Sequence, residues 1–314
     1  MRLFYASDIH GSERLWRKFL NAPAFYGVDV LIMGGDLTGK VMVPLVERQP
    51  GFWVARLHGR DESAESEAEA GELERRIRLN GQYPLRVDEP ELARLQADAE
   101  HRDAVFRRLM REELRRWLDL AAEKLAGTGA RCLVMPGNDD EWDVDEVLDG
   151  AGGVVENVDG RVVRVGDVQV LSCAWANPTP WDSPREEPED ALLERLERIA
   201  EGLEDGVPAV FNLHVPPRDS GLDLAPELTE DLRVATRGGE PRLLPVGSTA
   251  VRTLIERRRP LLSLHGHVHE SRAVARIGPT LCINPGSAYA EGVIDGAIVE
   301  LDGGRVVSHQ LVSG

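Results

Sequence analysis

Lysine is almost missing from this chain. Lys18, Lys40 and Lys124 stand beside 34 arginines (37 basic residues less three), and 54 acidic residues bring the formal net charge to −17. Such a charge repels polyanions over long range, which argues against nucleic acid as a partner; a nuclease would need a basic track that is not visible. A small phosphate substrate stays open, because bound cations reverse the local sign of the field. Cysteine is scarce and odd in number. Cys132, Cys173 and Cys282 are widely spaced inside apolar runs, which predicts buried thiols rather than a disulfide framework. No apolar run reaches the roughly 18 residues of a membrane helix. Met1 to His10 has no basic region followed by a long apolar stretch, as a signal peptide would. These absences predict a cytoplasmic protein with no membrane partner. Otherwise the composition, 42% apolar and 29% charged, is that of an ordinary globular protein. A chain of 314 residues allows one large domain or a domain with a substantial insertion.

What is present is a repeated device: short β-rich apolar runs that end abruptly in metal-capable residues. Arg2 to Ser7 leads into Asp8-Ile9-His10, Val28 to Met33 into Gly34-Gly35-Asp36, and Arg131 to Met135 into Pro136-Gly137-Asn138-Asp139. Val207 to Leu213 leads into His214, and Leu261 to Leu264 into His265-Gly266-His267-Val268-His269. Continuous apolar runs of this length suit strands buried on both faces, and open α/β sheets bind ligands beyond the carboxyl ends of such strands.

Between the runs lie helical patterns. Leu15 to Leu20 is a short one. Ser183 and Glu186 read as a capping box before a helix with Leu192, Leu196 and Ile199 on one face. Asp88 and Glu91 repeat the device before a long helix that Gly127 ends. Hairpins are expected at Gly166-Asp167, Gly278-Pro279 and Asp302-Gly303-Gly304. A mostly parallel first half and an antiparallel second half predict two sheets packed face to face with helices outside, a four-layer αββα sandwich. Residues 41–127 exceed what one crossover requires and read as an insertion within a single 1–314 domain. A substrate-selecting lid, a dimer surface and stabilising bulk are the roles open to it.

Asp8, His10, Asp36, Asn138, His214, His267 and His269 are the candidate ligands. Carboxylate, imidazole and amide oxygen together suit Mn, Fe, Zn or Ni better than Ca. They are too many for one tetrahedral ion and fit two divalent ions sharing a carboxylate. Residues two apart, as in Asp8/His10 and His267/His269, point the same way on extended backbone.

These motifs, in this order, resemble those of the calcineurin-like metallophosphoesterase superfamily, and Asn284-Pro285-Gly286-Ser287 extends the likeness. Asn177-Pro-Thr-Pro-Trp181 and His214-Val-Pro-Pro217 are similar to its bacterial phosphodiesterase-like branch. The resemblance implies the metallophosphoesterase fold, with Asp8, His10 and His269 on one ion, Asn138, His214 and His267 on the other, and Asp36 bridging. It implies hydrolysis of a small phosphate ester by a hydroxide between the ions, with a phosphodiesterase preferred over a monoesterase or nucleotide pyrophosphatase. The family's usual Gly-Asn-His run is here Gly137-Asn138-Asp139, so a carboxylate stands where a histidine aids the leaving group. Asp139 then acts as an acid only with a raised pKa, and good leaving groups, diesters or pyrophosphates are favoured.

Arg218 and Arg272 flank motif residues and are candidate phosphate clamps. Asn177 and Trp181 either line the pocket or stiffen a proline-rich loop. His265 reads as packed or supporting rather than ligating. Arg75, Arg76 and Arg78, beside Glu72 and Glu74, read as a solvated ion-paired face. A scaffold that kept the fold and lost catalysis, as the retromer scaffold subunit did, is the rival of another class. The intact ligand set argues against it.

Overall fold

The computed structural model of the protein describes residues 1–229 and 231–314. Its centre is two six-stranded sheets. In the first, the parallel strands Arg2–Ala6, Val30–Met33, Arg131–Val134 and Glu156–Asn157 lie side by side, and the hairpin Asp295–Asp302/Arg305–Ser313 closes the edge beside Arg2–Ala6. In the second, Val168–Cys173, Ala209–Leu213, Leu262–Leu264 and Thr280–Asn284 are parallel. Val162–Val165 and Ala273–Ile277 pair antiparallel at its two edges. The second half is therefore not an antiparallel sheet. The expected hairpins are real, but two of them supply the edges of a parallel core and the third caps the first sheet.

Strand alternation explains the layering. Leu3, Tyr5, Ile32 and Leu133 point inward against Val170, Val210, Leu264 and Ile283 of the facing sheet. Their neighbours Phe4, Leu31 and Val134 point outward onto Trp16, Phe19 and Trp117. On the far side Leu171, Phe211 and Cys282 meet Leu192, Leu196, Leu254 and Ile255. Both faces of each sheet are covered, which is why the strands read as unbroken apolar runs. The result is a four-layer αββα sandwich. All three cysteines are buried and unpaired. No helix among the described residues is long and apolar enough to cross a membrane.

Between the second and third strands of the first sheet, residues 41–87 build a separate four-stranded sheet with helix Glu67–Leu79 against it. Asp88 caps the next helix, Glu89–Ala97, accepting from the Glu91 amide at 2.8 Å. The long helix is then broken: Asp98 adopts extended backbone and caps Ala99–Leu125 through the His101 amide. Trp117 and Leu114 of that helix pack on the first sheet, so it forms part of the sandwich's outer layer. The capping box expected at Ser183 and Glu186 does not form. Helix Glu189–Ala200 starts after Pro188 with no side-chain cap, and Glu186 is occupied elsewhere.

Candidate metal centre

All seven candidate ligands stand at the carboxyl ends of parallel strands, where each chain must turn out of the sheet. The turns are strained. Asp8 (φ 56°), His10 (φ 40°), Asp36 (φ 50°) and His267 (φ 64°) occupy left-handed backbone, at a cost of order 1–3 kcal/mol each. They are held there by cross-loop bonds: the Asp8 amide donates to the Gly35 carbonyl (2.9 Å) and the His10 amide to that of Asp36 (3.0 Å). Two glycines permit the close approach. A Cβ on Gly137 would sit 2.1 Å from Asp36 Oδ1, and one on Gly266 would sit 2.3 Å from Asp8 Oδ2.

The donor atoms converge in three overlapping groups, Asp8/His10/His269, Asp8/Asp36/His214 and His10/Asp36/Asp139, the atoms of each lying within 4.8 Å of one another. The Nε2 atoms of His10 and His269 are 3.2 Å apart. His269 Nε2 is 3.4 Å from Asp8 Oδ1. Asp36 Oδ2 lies between His10 Nε2 (3.7 Å) and His214 Nε2 (3.5 Å), the central position. Asn138 Oδ1 lies 3.0 Å from His214 Nε2 and 2.9 Å from His267 Nδ1.

The tautomers show that these residues suit a cation. His214 Nδ1 is 2.8 Å from the Gly34 carbonyl, so it must carry hydrogen. Asn138 Nδ2 donates to Glu186, which orients the amide oxygen toward the two histidines. In neutral His214 the Nε2 lone pair then faces an amide oxygen and a carboxylate, acceptors without a donor. Without a cation a proton must fill that gap. Burial would depress the His214 imidazole, but Asp36 and Asp8 overcome it and push it up to about 9. Burial would likewise raise Asp8 and Asp36; His269 beside the first and His214 beside the second hold both below the usual carboxylate range. His267 is pushed down to about 4 by burial and the charge of His214.

Residues that carry no ligand atom fix the loops. The fully buried Asp140 carboxylate accepts from the amides of Leu37, Thr38 and Gly137 and from the Thr38 hydroxyl. Glu186 accepts from the Thr179 amide and hydroxyl as well as from Asn138. Asn284 donates to the carbonyls of Gly266 and Val268, and Ser287 to that of Asp8. His265 is packed, with Nδ1 against the Leu213 and Val215 carbonyls, and burial lowers it to about 4. The packed position of His265 agrees with its sequence reading; the bracing roles of Asp140 and Glu186 carry no such signal in the sequence.

A cleft of about 590 Å³ opens over the donors, lined by Asp139, Lys40, Trp181 and Tyr289 among others. Lys40 Nζ is 3.2 Å from Asp139 Oδ2 and also donates to the Asp139 carbonyl. The clamp candidates do not reach this cleft. Arg272 is bound to Asp295 and Ser313. Arg218 lies outside the lining, its carbonyl accepting from Arg252. Asn177 donates to the Val246 carbonyl, bracing the cleft wall from behind. Arg75 and Arg76 are paired with Glu72 and Glu62.

No protein-family model matches the chain. Over 156 residues it is 28% identical to the uncharacterized protein MJ1162 of Methanocaldococcus jannaschii, covering 49% of this chain and 62% of that relative, less than two thirds of its length. A structure of TT1561 from Thermus thermophilus matches 100% of this chain and 97% of its own at 13% identity, with a TM-score of 0.55. A looser likeness, TM-score 0.32 at 12% identity over 100% of this chain and 99% of the other, is to a novel archaeal phosphodiesterase. The likeness to TT1561 at this identity is one of fold; along the chain the strand ends carry, in order, Asp-x-His, Gly-Gly-Asp, Gly-Asn, His and Gly-His-x-His.

Proposed function

We propose that this protein is a metal-dependent phosphoesterase, with phosphodiesters as its preferred substrates. The observation that carries the reading is the convergence of Asp8, His10, Asp36, Asn138, His214, His267 and His269, with Asp36 between the two histidine groups. Asp8, His10 and His269 would hold one divalent cation, Asn138, His214 and His267 a second, and Asp36 would touch both. Mn, Fe, Zn and Ni suit this donor set. Such ions lower the pKa of water and offset phosphoryl charge. The protein's own part is positional. Left-handed turns aim the carboxylates inward, Gly34 fixes the His214 tautomer, and Glu186 fixes the Asn138 amide. Asp139 Oδ2, with Lys40 beside it, faces the cleft where a leaving oxygen would depart and is the group placed to hand over a proton. Burial and the Asp36 carboxylate push Asp139 up, against the opposing pull of Lys40.

Metal analysis of the purified protein, joined to hydrolysis of a bis-aryl phosphate in Mn²⁺, tests this. Two equivalents of metal with chelator-sensitive turnover are expected, both lost in His214→Ala. Metal-loaded protein that cleaves no phosphate ester would leave the scaffold reading in its place. The cytoplasm remains the expected location.

A further inference from the structure

The cleft has two unlike ends. One is the donor set. The other is a wall of apolar side chains that the core does not use. Leu224–Pro226 pairs with Leu243–Pro245, and a bridge joins Leu228 to Val234, so the chain after His214 folds out as a projecting double hairpin. Among the described residues, none in 224–246 is fully buried. Yet Pro226, Leu228, Val234 and Val246 face the cleft, Val234 remaining 47% exposed. Across from them Trp181 leaves 64% of its surface in solvent. Tyr289 lies 4.6 Å from the His10 ring, joining the wall to the donors. Single exposed apolar residues need no explanation, but several converging on one cleft mark a binding surface.

The charges of the cleft narrow the ligand. Among its described lining residues only Lys40 is cationic, and Asp139 already holds it. With Lys40 standing beside the donor set, a second phosphate farther along would find no other lysine or arginine among the described lining residues and would meet Glu270 at the rim. We propose that the cleft takes an ester with a single phosphoryl group and an apolar alcohol portion, alkyl or aryl, lying along Trp181, Leu228 and Val234. This rests on the phosphoesterase reading and sharpens it, placing nucleoside diphosphate conjugates outside the substrate range.

The test uses n-alkylphosphonates from methyl to octyl, which bind without being cleaved, titrated calorimetrically into the Mn²⁺-loaded protein. Affinity should rise roughly fourfold per methylene laid on the wall. The rise should flatten in Trp181→Ala and in Leu228→Asn/Val234→Asn, whose side chains are not part of the core. Equal affinity for methyl- and octylphosphonate, no measurable octylphosphonate binding, or an unchanged slope in the variants would each overturn the proposal. A steep slope without turnover of any ester would remove the hydrolase reading and leave the pocket standing. Turnover with a flat slope would do the reverse.

Discussion

Replacing Asp140 by asparagine should unfasten the metal centre without touching a candidate ligand. The carboxylate is completely buried and accepts four hydrogen bonds. Oδ1 takes the Thr38 amide (2.8 Å) and hydroxyl (2.6 Å); Oδ2 takes the Leu37 amide (2.9 Å) and the Gly137 amide (2.8 Å). These donors flank Asp36 on one loop and precede Asn138 on the other, so one side chain clamps two ligand-bearing turns together. Asparagine can satisfy one side only. With its amide group toward Thr38, whose hydroxyl can turn to accept, it leaves one buried N–H donor unmatched; toward Leu37 and Gly137 it leaves two. At about 1.5–3 kcal/mol for each hydrogen bond to a charged group, losing one to two costs about 1.5–6 kcal/mol. At roughly 2 °C per kcal/mol for a chain of this size, Tm falls by about 3–12 °C. Part of the loss falls on the metal site, because relaxing the clamp lets Asp36 and Asn138 drift. Scanning calorimetry in Mn²⁺ and in chelator, with metal content measured on both proteins, reads the two parts separately. An Asp140→Asn protein that melts within a degree of the parent and keeps its metal would refute the clamp.

Two further outcomes follow from the charges at the site. The folded value of His214, about 9, lies above its ordinary 6.5, so the stability its proton gives metal-free protein is full below about pH 6.5 and is lost as pH rises through about 9. Chelator-treated protein should therefore lose Tm over that window in scanning fluorimetry, while metal-loaded protein, with a cation in the proton's place, should not; parallel profiles would contradict this. Lys40→Met removes the described cation of the cleft lining and should lower kcat/KM on phosphate esters roughly 10–100-fold, the worth of one charged hydrogen bond, at unchanged metal content. An unaltered kcat/KM would mean that Lys40 serves only to hold Asp139.

Most of the site was legible because it depends on the feature that sequence shows best. A strand buried on both faces is a short apolar run, and the residue that ends it stands at the sheet's carboxyl edge. Arg2–Ala6, Val30–Met33, Arg131–Val134, Ala209–Leu213 and Leu262–Leu264 all ended within two residues of where the pattern stopped. Long-range choices were hidden. Ser183 and Glu186 satisfy the spacing of a capping box, but Glu186 gains more by accepting from Thr179 and orienting Asn138. Arg272 stands next to a ligand motif, yet Asp295, brought near only by the closing hairpin, occupies it. Asp98 falls inside the stretch between Glu91 and Gly127 that reads as one long helix. Its side chain instead caps the second of two helices, a local competition that periodicity does not register.

Asp139, in the position where the resemblance leads one to expect histidine, takes on a different meaning beside Lys40. A histidine at that position would be a donor by itself. A carboxylate there, close to Asp36, adds negative charge to a site proposed to admit a phosphate, and alone it would work against binding. Lys40 removes that objection: its ammonium bonds to both the side chain and the carbonyl of Asp139, leaving a near-neutral pair with donor hydrogens at the cleft. In a chain that uses arginine almost everywhere else, a lysine suits this place physically. Its compact ammonium sits on a flexible stem and can turn from Asp139 toward a phosphoryl oxygen, where a planar guanidinium would be committed to one carboxylate. On the proposed reading Asp139 and Lys40 therefore act as one unit, Lys40 on the loop after Asp36 and Asp139 on the loop after Val134. The buried Asp140 carboxylate, which ties those same two loops together, keeps the unit assembled.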